Sequence, residues 1–436
     1  MDRQAWLIVA DDLTGAADCA IAFARQGVAS VVGWGDVLPS SSPPNLGPPC
    51  GPSPQGEGEN ARRSPRVFSY TADSRGLAPA QAASRHRDVT DRLLDRDSRL
   101  FVKIDSTLRG QPAAAIAAAL DVLRARDRPA IGVLAPAFPA TGRTTQDGHV
   151  HVGGAKLEQA EVWQRDHSYE TADLVAMLAT AGVAARTVPL ATIRTGALPA
   201  ALAAIPPGGV AVCDAATQDD LDRIAAASLA AGREVVFIGC AGLAHALAAT
   251  TPGQADPVGV VPSANGALIV VGSLAAASRA AARDLARLDR VRYVPVAPET
   301  LLDDATPADR DRIGACVADA LSSGHDVLVE LLMGEHPDLA IGPRLATRLA
   351  EVLRPAAAHM SGLVATGGET AAALLAGFGV NAIRLVDELE PGVSLGLTVG
   401  AVAVPLVTKA GAFGDAGSLV RSVRRLRLIR QQGTLA

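Results

Sequence analysis

The sequence predicts an α/β protein of two domains, each a largely parallel sheet covered by helices, with an active-site cleft between them. Short apolar runs recur ("WLIVA", "FVKI", "AIGVLAP", "GVAVC", "EVVFIG", "ALIVVGS", "DVLVELL", "GLVATGG"), and each precedes a segment of helical length. These runs are continuous rather than alternating, as in strands buried on both faces of a parallel sheet. At 436 residues the chain exceeds one ordinary core. We expect an N-terminal domain over 1–250, a linker over 251–265 ("TTPGQADPVGVVPSANG" lies around it) and a C-terminal domain over 266–436.

The first strand, Trp6 to Ala10, ends in two carboxylates, Asp11 and Asp12, followed by Leu13, Thr14 and Gly15 and a small-residue helix. In α/β folds ligands sit beyond the carboxyl ends of the strands, so this acid pair stands where such a protein keeps its site. The stretch from about 39 to 65 is rich in Pro, Gly and Ser and reads as a disordered surface insertion. Inside it "GEGENA" has the letters of a phosphate loop, but with no strand before it and no helix after it the match is accidental.

"YTADSRG" follows, with Asp73, Ser74 and Arg75 after an apolar approach; an Asx-type turn explains it equally well. In "FVKIDSTLRGQP", Lys103 and Asp105 share a face by strand alternation. Ser106, Thr107 and Arg109 occupy the turn, and Pro112 suits the first turn of a helix. Cation, carboxylate, hydroxyls and guanidinium thus converge at a strand end. This set suits a small polyhydroxy acid, with Arg109 and Lys103 for its carboxylate and Asp105 for its hydroxyls. "APAFPATGRTTQDGHVHVGG" holds Arg143, then His149 and His151 on a strand. Without a third ligand at a recognisable spacing, the histidines do not indicate a metal site.

The second half carries small-residue loops at its strand ends. Gly272 and Ser273 follow "LIVV", and Thr366, Gly367, Gly368, Glu369 and Thr370 follow "LVA". Near the end "VTKAGAFGD" adds Lys409, Gly411 and Gly414. Glycine at such junctions lets backbone N–H groups approach a phosphate at a helix N-terminus. Neither a Walker loop nor a GxGxxG in the right context is present. An acid-and-hydroxyl-reading half and a phosphate-cradling half together suit a small-molecule kinase.

Composition narrows the alternatives. The net charge of −5 gives no basic footprint for nucleic acid. No apolar run approaches the roughly 18 residues of a membrane span, and the N-terminus lacks a signal pattern. Five cysteines without a CxxC pair fit a reducing cytoplasm.

Taken as a set, "ADDLTGAAD", "DSRG", "KIDSTLRG", "PAFPATGRTTQDGHVHV", "GCAGLAHAL", "VVGS", "TGGETAAALL", "ELEPGVSLG" and "KAGAFGD" occur in this order over nearly the whole chain. The set closely resembles the four-carbon acid sugar kinase family of threonate, erythronate and 3-oxo-tetronate kinases. The resemblance implies ATP- and Mg²⁺-dependent phosphorylation of a four-carbon acid sugar, usually at its terminal hydroxyl. It also implies a substrate-binding first domain and a nucleotide-binding second domain. By motif, Asp11, Asp12, Arg75, Lys103, Asp105, Ser106, Arg109 and Arg143 bind substrate, with Asp12 the expected base and Asp105 its rival. Ser273, Gly367, Gly368, Glu369, Thr370, Gly411 and Gly414 bind the nucleotide, and no protein side chain is assigned as a metal ligand. Cys240 stands where the family commonly has Ser, and Ala275, Ser278 and Ala281 where relatives often carry Ser, Thr and Gln. The competing expectations are an NAD(P)-dependent hydroxy-acid dehydrogenase and a non-catalytic nucleotide-binding sensor. A homo-oligomer is a fair expectation for a metabolic enzyme.

Overall fold

Trp6 anchors the first strand: its ring centroid lies 5.3 Å from that of Phe23 and 5.2 Å from that of Phe237. The computed structural model describes residues 5–35, 66–251, 253, 258–272, 275–303, 307–332, 341–409 and 413–435. The insertion expected at 39–65, and Ser273 and Gly411, lie outside the described residues. The chain divides into two units, one holding the described residues through 253 and the other those from 258 onward.

In the first unit, strand β1 (Ala5–Ala10) leads into helix α1 (Leu13–Ala24). Then come β2 (Ser30–Gly33), β3 (Val67–Thr71), α2 (Pro79–Leu93), β4 (Ser98–Lys103), α3 (Pro112–Ala125) and β5 (Ala130–Ala135). The remaining strands are β6 (Arg143–Gln146), β7 (His149–Val152), β8 (Ala155–Lys156), β9 (Ala185–Val188), β10 (Val210–Cys213) and β11 (Glu234–Gly239). The main sheet runs β2-β3-β1-β4-β11-β5-β10-β9 and is parallel throughout. Leu7, Ile8 and Val9 are almost wholly buried, a contribution on the order of 5–9 kcal/mol from three aliphatic side chains.

This order places the site. The chain leaves β1 toward β2 and β3 on one side, then returns to lay β4 on the other. A topological switch point results, and a crevice opens beyond the carboxyl ends of the strands there. Small residues on α1, including Gly15, Ala16 and Ala17, are buried and let the helix lie close to the sheet. At Gly15 the approach is extreme, since a Cβ would stand 2.4 Å from Lys103 Nζ. β6, β7 and β8 make a separate antiparallel sheet carrying His149 and His151 on the expected strand.

The second unit repeats the principle. Its strands are β12 (Ala267–Val271), β13 (Val291–Val296), β14 (Asp326–Leu331), β15 (Gly362–Thr366), β16 (Val380–Glu390), β17 (Val393–Gly400) and β18 (Pro405–Lys409). They align as β13-β14-β12-β15-β18-β17-β16. The first five are parallel, and β17 and β16 close the edge antiparallel. β12 is the switch strand here, between β14 and β15. The expected linker's described end is tied into this unit, where Val260 N donates to Gly433 O at 2.9 Å and Leu435 N to Val258 O at 3.0 Å. No helix among the described residues is long and apolar enough to cross a membrane.

Candidate active site

Three neighbouring strand ends bring together residues separated by up to a hundred positions in sequence. Ala10 of β1 pairs with Thr71 of β3 and with Lys103 of β4. Asp11 and Asp12 therefore emerge beside Arg75 on one side and Lys103 and Asp105 on the other. Arg75 ties the group together. Its Nε donates to Asp11 Oδ2 at 2.7 Å, and its two terminal nitrogens lie 2.9 Å from Asp12 Oδ2 and 3.6 Å from Asp105 Oδ1. Arg109 grips Asp105 with two donors, Nε to Oδ2 at 3.0 Å and Nη2 to Oδ1 at 2.9 Å. Thr107 donates to the same carboxylate through its backbone N at 3.1 Å and through its hydroxyl. The turn closes on Gly110 at φ +76°, where a Cβ would crowd Asp11 Oδ2 at 3.3 Å and Arg75 Cα at 3.4 Å.

The three carboxylates differ in what they have left to offer. Asp12 caps α1: its Oδ1 accepts from Gly15 N at 2.8 Å, and its Oδ2 from Thr14 Oγ1 at 2.6 Å and from Arg75. Burial pushes its pKa up, but Arg75, Lys103, Thr14 and Gly15 outweigh that and hold it below 3.8. Asp105 is likewise raised by burial and then carried well below its ordinary value by Arg109 and Arg75. Asp11 spends Oδ2 on Arg75. Its buried Oδ1 has no hydrogen-bond partner among the described residues, and Lys103 Nζ stands 3.9 Å from it. Lys103 is itself buried; desolvation opposes its charge, yet Asp11 and Asp12 prevail and raise its pKa.

A pocket opens on this group, with about 210 Å³ of space not filled by atoms, part of it open to solvent. Asp11, Lys103, Asp105 and Arg109 line one part of it and Ser74 and His86 another. His86, on α2, was not singled out in the sequence. Its signal is positional: with Ala82, Val89, Thr90 and Leu93 it forms the buried stripe of an otherwise polar helix. Ser106 lies in the turn after β4, and Arg143 at the start of β6 donates to Thr141 O at 3.4 Å. Neither lines this pocket.

In the second unit the glycine-bearing junctions gather at the ends of β12, β15 and β18. Gly367 adopts φ +89° before the helix Gly368–Gly377, and no side chain caps that helix. Gly272 packs against Thr370, where a Cβ would meet Thr370 Oγ1 at 2.0 Å and Thr370 Cβ at 2.9 Å. Lys409, fully buried at the end of β18, donates to Ser278 Oγ at 3.0 Å, and its carbonyl accepts from Gly367 N at 3.0 Å. Thr366 Oγ1 is buried without a hydrogen-bond partner among the described residues. Glu369 approaches Gly342, and Gly414 (φ +76°) packs against Ser418 and Glu390.

Comparison with known proteins decides the family. Residues 6–247 match the model of a sugar-binding N-terminal domain and residues 268–419 that of a nucleotide-binding C-terminal domain. A D-threonate kinase of Cupriavidus necator is 38% identical, over 95% of this chain and 96% of its own length. The chain belongs to the four-carbon acid sugar kinase family. Another family member, a D-erythronate kinase of Heliobacterium modesticaldum, is 31% identical over 94% of each chain. The fold is shared with a solved Haemophilus influenzae protein of family DUF1537, at a TM-score of 0.69 with 18% identity over 95% of this chain and 98% of that one. As a member of the four-carbon acid sugar kinase family the protein is an enzyme, a kinase of sugar acids.

Among the described residues no group of three or more His, Cys, Asp or Glu side chains is placed to hold a metal ion. His149 Nε2 lies 4.0 Å from Asp173 Oδ2.

Proposed function

We propose that this kinase phosphorylates the terminal hydroxyl of a four-carbon acid sugar of the threonate, erythronate or 3-oxo-tetronate type, using Mg-ATP, in the cytoplasm. The observation that carries the reading is the convergence of Asp11, Asp12, Arg75, Lys103, Asp105 and Arg109 in one ion-paired cluster, of which Asp11, Lys103, Asp105 and Arg109 line one small pocket. Such a pocket, lined by charged and polar groups with Ile104, Pro112 and Ala115 between them, matches a small polyol with one carboxylate. The relatives named threonate, erythronate and 3-oxo-tetronate kinases favour the same class.

The roles follow from which atoms are committed. Arg109 and Lys103 face the pocket as donors for the substrate carboxylate. Asp105, held on both oxygens, fixes Arg109 in place. Asp12, expected from the sequence to be the base, spends both oxygens on the cap of α1 and on Arg75. Asp11 keeps Oδ1 unengaged by hydrogen bonds, so we assign it the substrate hydroxyl: it orients the alcohol and accepts its proton at Oδ1 as the oxygen becomes a nucleophile. Asp12 then acts by holding Arg75 and the first turn of α1.

The second unit fits a nucleotide. An uncapped helix N-terminus behind Gly367, the close packing allowed by Gly272, the buried Lys409 and the unpartnered Thr366 hydroxyl suit an anionic phosphate. Gly367, Gly368, Glu369 and Thr370 would hold it, with Ser273, Gly411 and Gly414 as the motif implies. When bound, Mg-ATP supplies the phosphoryl group, and the metal screens its charge with phosphate oxygens as ligands. The division into a sugar-binding unit and a nucleotide-binding unit, with a linker near 251–265, and a homo-oligomeric state belong to the same reading.

The test is ADP release with Mg-ATP and a panel of D- and L-threonate, D-erythronate and their oxo forms. Turnover on one of them supports the reading and names the substrate; silence across the panel with ATP bound overturns the acid class. Asp11→Asn should cut kcat by a factor of 10² or more, and a kcat near wild type would refute the proton acceptor assigned here.

A further inference from the structure

Beyond the acid cluster, the pocket contains one buried polar group that neither the family motifs nor the phosphoryl-transfer chemistry uses. His86 is 1% exposed, and it lines the same pocket as Asp11, Lys103 and Asp105. Its Nε2 sits 3.0 Å from Ser74 Oγ. Its Nδ1 is buried and has no hydrogen-bond partner among the described residues. Leaving such an atom unpaired is costly, so a native protein keeps one where something else will pair it.

We infer that His86 Nδ1 is a specificity contact, pairing with a hydroxyl on one of the two inner carbons of the acid sugar. This rests on the acid-sugar reading above and deepens it. The pocket's other polar groups are formally charged, apart from Ser74 and Gln111. They recognise a carboxylate or hold a proton acceptor, but they discriminate poorly between neutral groups. A neutral imidazole does better, because one nitrogen donates and the other accepts. Burial pushes the His86 pKa down to about 4, against an opposing pull from Asp11, so the ring is neutral near pH 7. With Nε2 engaged by Ser74, whose hydroxyl can donate or accept, Nδ1 is the nitrogen left for the ligand. Ser74 precedes Arg75, and its backbone N donates to Asp11 O at 2.9 Å. His86 is thus mounted on the loop that holds the catalytic carboxylate, so a hydroxyl paired with it is registered against Asp11. A substrate lacking that hydroxyl would leave Nδ1 unpaired in the closed pocket, the arrangement that rejects deoxy analogues most strongly.

A purely structural role, bracing Ser74, would use Nε2 alone, and this separates the two readings. His86→Gln keeps a polar atom where Nε2 stands and removes the one at Nδ1; His86→Asn does the reverse. Initial rates would be measured for wild type and both variants with the acid found active in the panel. The same would be done with 3,4-dihydroxybutanoate and 2,4-dihydroxybutanoate, which each lack one inner hydroxyl. We expect His86→Gln to raise KM for the acid about tenfold or more, with KM for ATP unchanged. His86→Asn should stay closer to wild type. Wild type should penalise one of the two deoxy acids, and His86→Gln should erase that penalty. A His86→Gln enzyme with wild-type KM, a His86→Asn enzyme that alone is impaired, or a wild type indifferent to both deoxy acids each overturns the inference. Should the variants fail to fold, ¹⁵N spectra of wild type decide: the His86 Nδ1 resonance should move when the acid is added without ATP, and an unmoved resonance overturns it. A wild type silent on every four-carbon acid overturns the functional reading itself; an active wild type insensitive at His86 overturns this inference alone.

Discussion

Replacing Arg75 with Gln should weaken the fold and the site together, with a pH signature that separates charge from packing. Arg75 lies within 3.6 Å of three carboxylates, Asp11, Asp12 and Asp105, and its side chain is 27% exposed. Each pair at such distances has a gross attraction of about 4 kcal/mol at an effective dielectric of 20. Most of that offsets desolvation, and removing one partner of a buried network costs about 3–5 kcal/mol. Partial exposure moves the expectation to the lower end, about 3 kcal/mol at pH 7. Asp12 and Asp105 are held below their ordinary 3.8 despite burial, with Arg75 among the causes for each. Depressed carboxylates contribute stability that is present above the unfolded pKa and lost as pH falls through the folded one. The gap between wild type and Arg75→Gln should therefore be full at pH 7 and narrow below about pH 4. Urea midpoints at pH 7 and at about pH 2, toward the depressed carboxylate values, measure it. A gap of the same size at both pH values would mean that Arg75 acts by packing, and no gap at pH 7 would refute the electrostatic role altogether.

Three further outcomes follow from the same geometry. Gly15→Ala would place a Cβ 2.4 Å from Lys103 Nζ and 2.5 Å from Asp12 Oδ1; displacement of about 1 Å at a reacting group can cost 10² in rate, so kcat/KM should collapse while circular dichroism stays native. Arg109→Ala should raise KM for the acid by about tenfold or more with KM for ATP unchanged, and an unaltered acid KM would remove it from carboxylate binding. Gly272→Ala sets a Cβ 2.9 Å from Thr370 Cβ, too close for a rotamer change to relieve. It should raise KM for ATP about tenfold and leave acid binding, followed by calorimetry, intact.

Much of this was legible in sequence because it is local. Continuous apolar runs ending in acids or glycines mark buried parallel strands and their ligand-facing tips, and "KIDSTLRG" carries its own turn and ion pair within seven residues. What was not legible is settled by which atoms meet once the chain is folded. Asp11 and Asp12 look equivalent as neighbours in sequence. They separate only when Thr14, Gly15 and Arg75 claim both oxygens of Asp12 and leave one of Asp11 unpaired. His86 belongs to no motif, and its place in the pocket depends on α2 packing against α3 and β1 so that its Nε2 meets Ser74. Arg143 fell within a recognised stretch, yet it lies outside this pocket because the stretch folds into its own small sheet. The β16–β17 hairpin, turning at Pro391 and Gly392, passed as a motif fragment, since its strands pair with each other before the second does with β18.

The even matching of Asp11, Asp12 and Asp105 by Arg75, Lys103 and Arg109 also bears on how the enzyme lets go. With three charges of each sign the cluster has no surplus of positive charge to hold an anion tightly. On the proposed roles the acid brings one negative charge, which Arg109 and Lys103 would share. The phosphorylated acid brings about 1.5–2 more, facing carboxylates already close by. On the proposed roles, turnover would set extra negative charge against carboxylates already in place, which favours release of the phosphorylated acid.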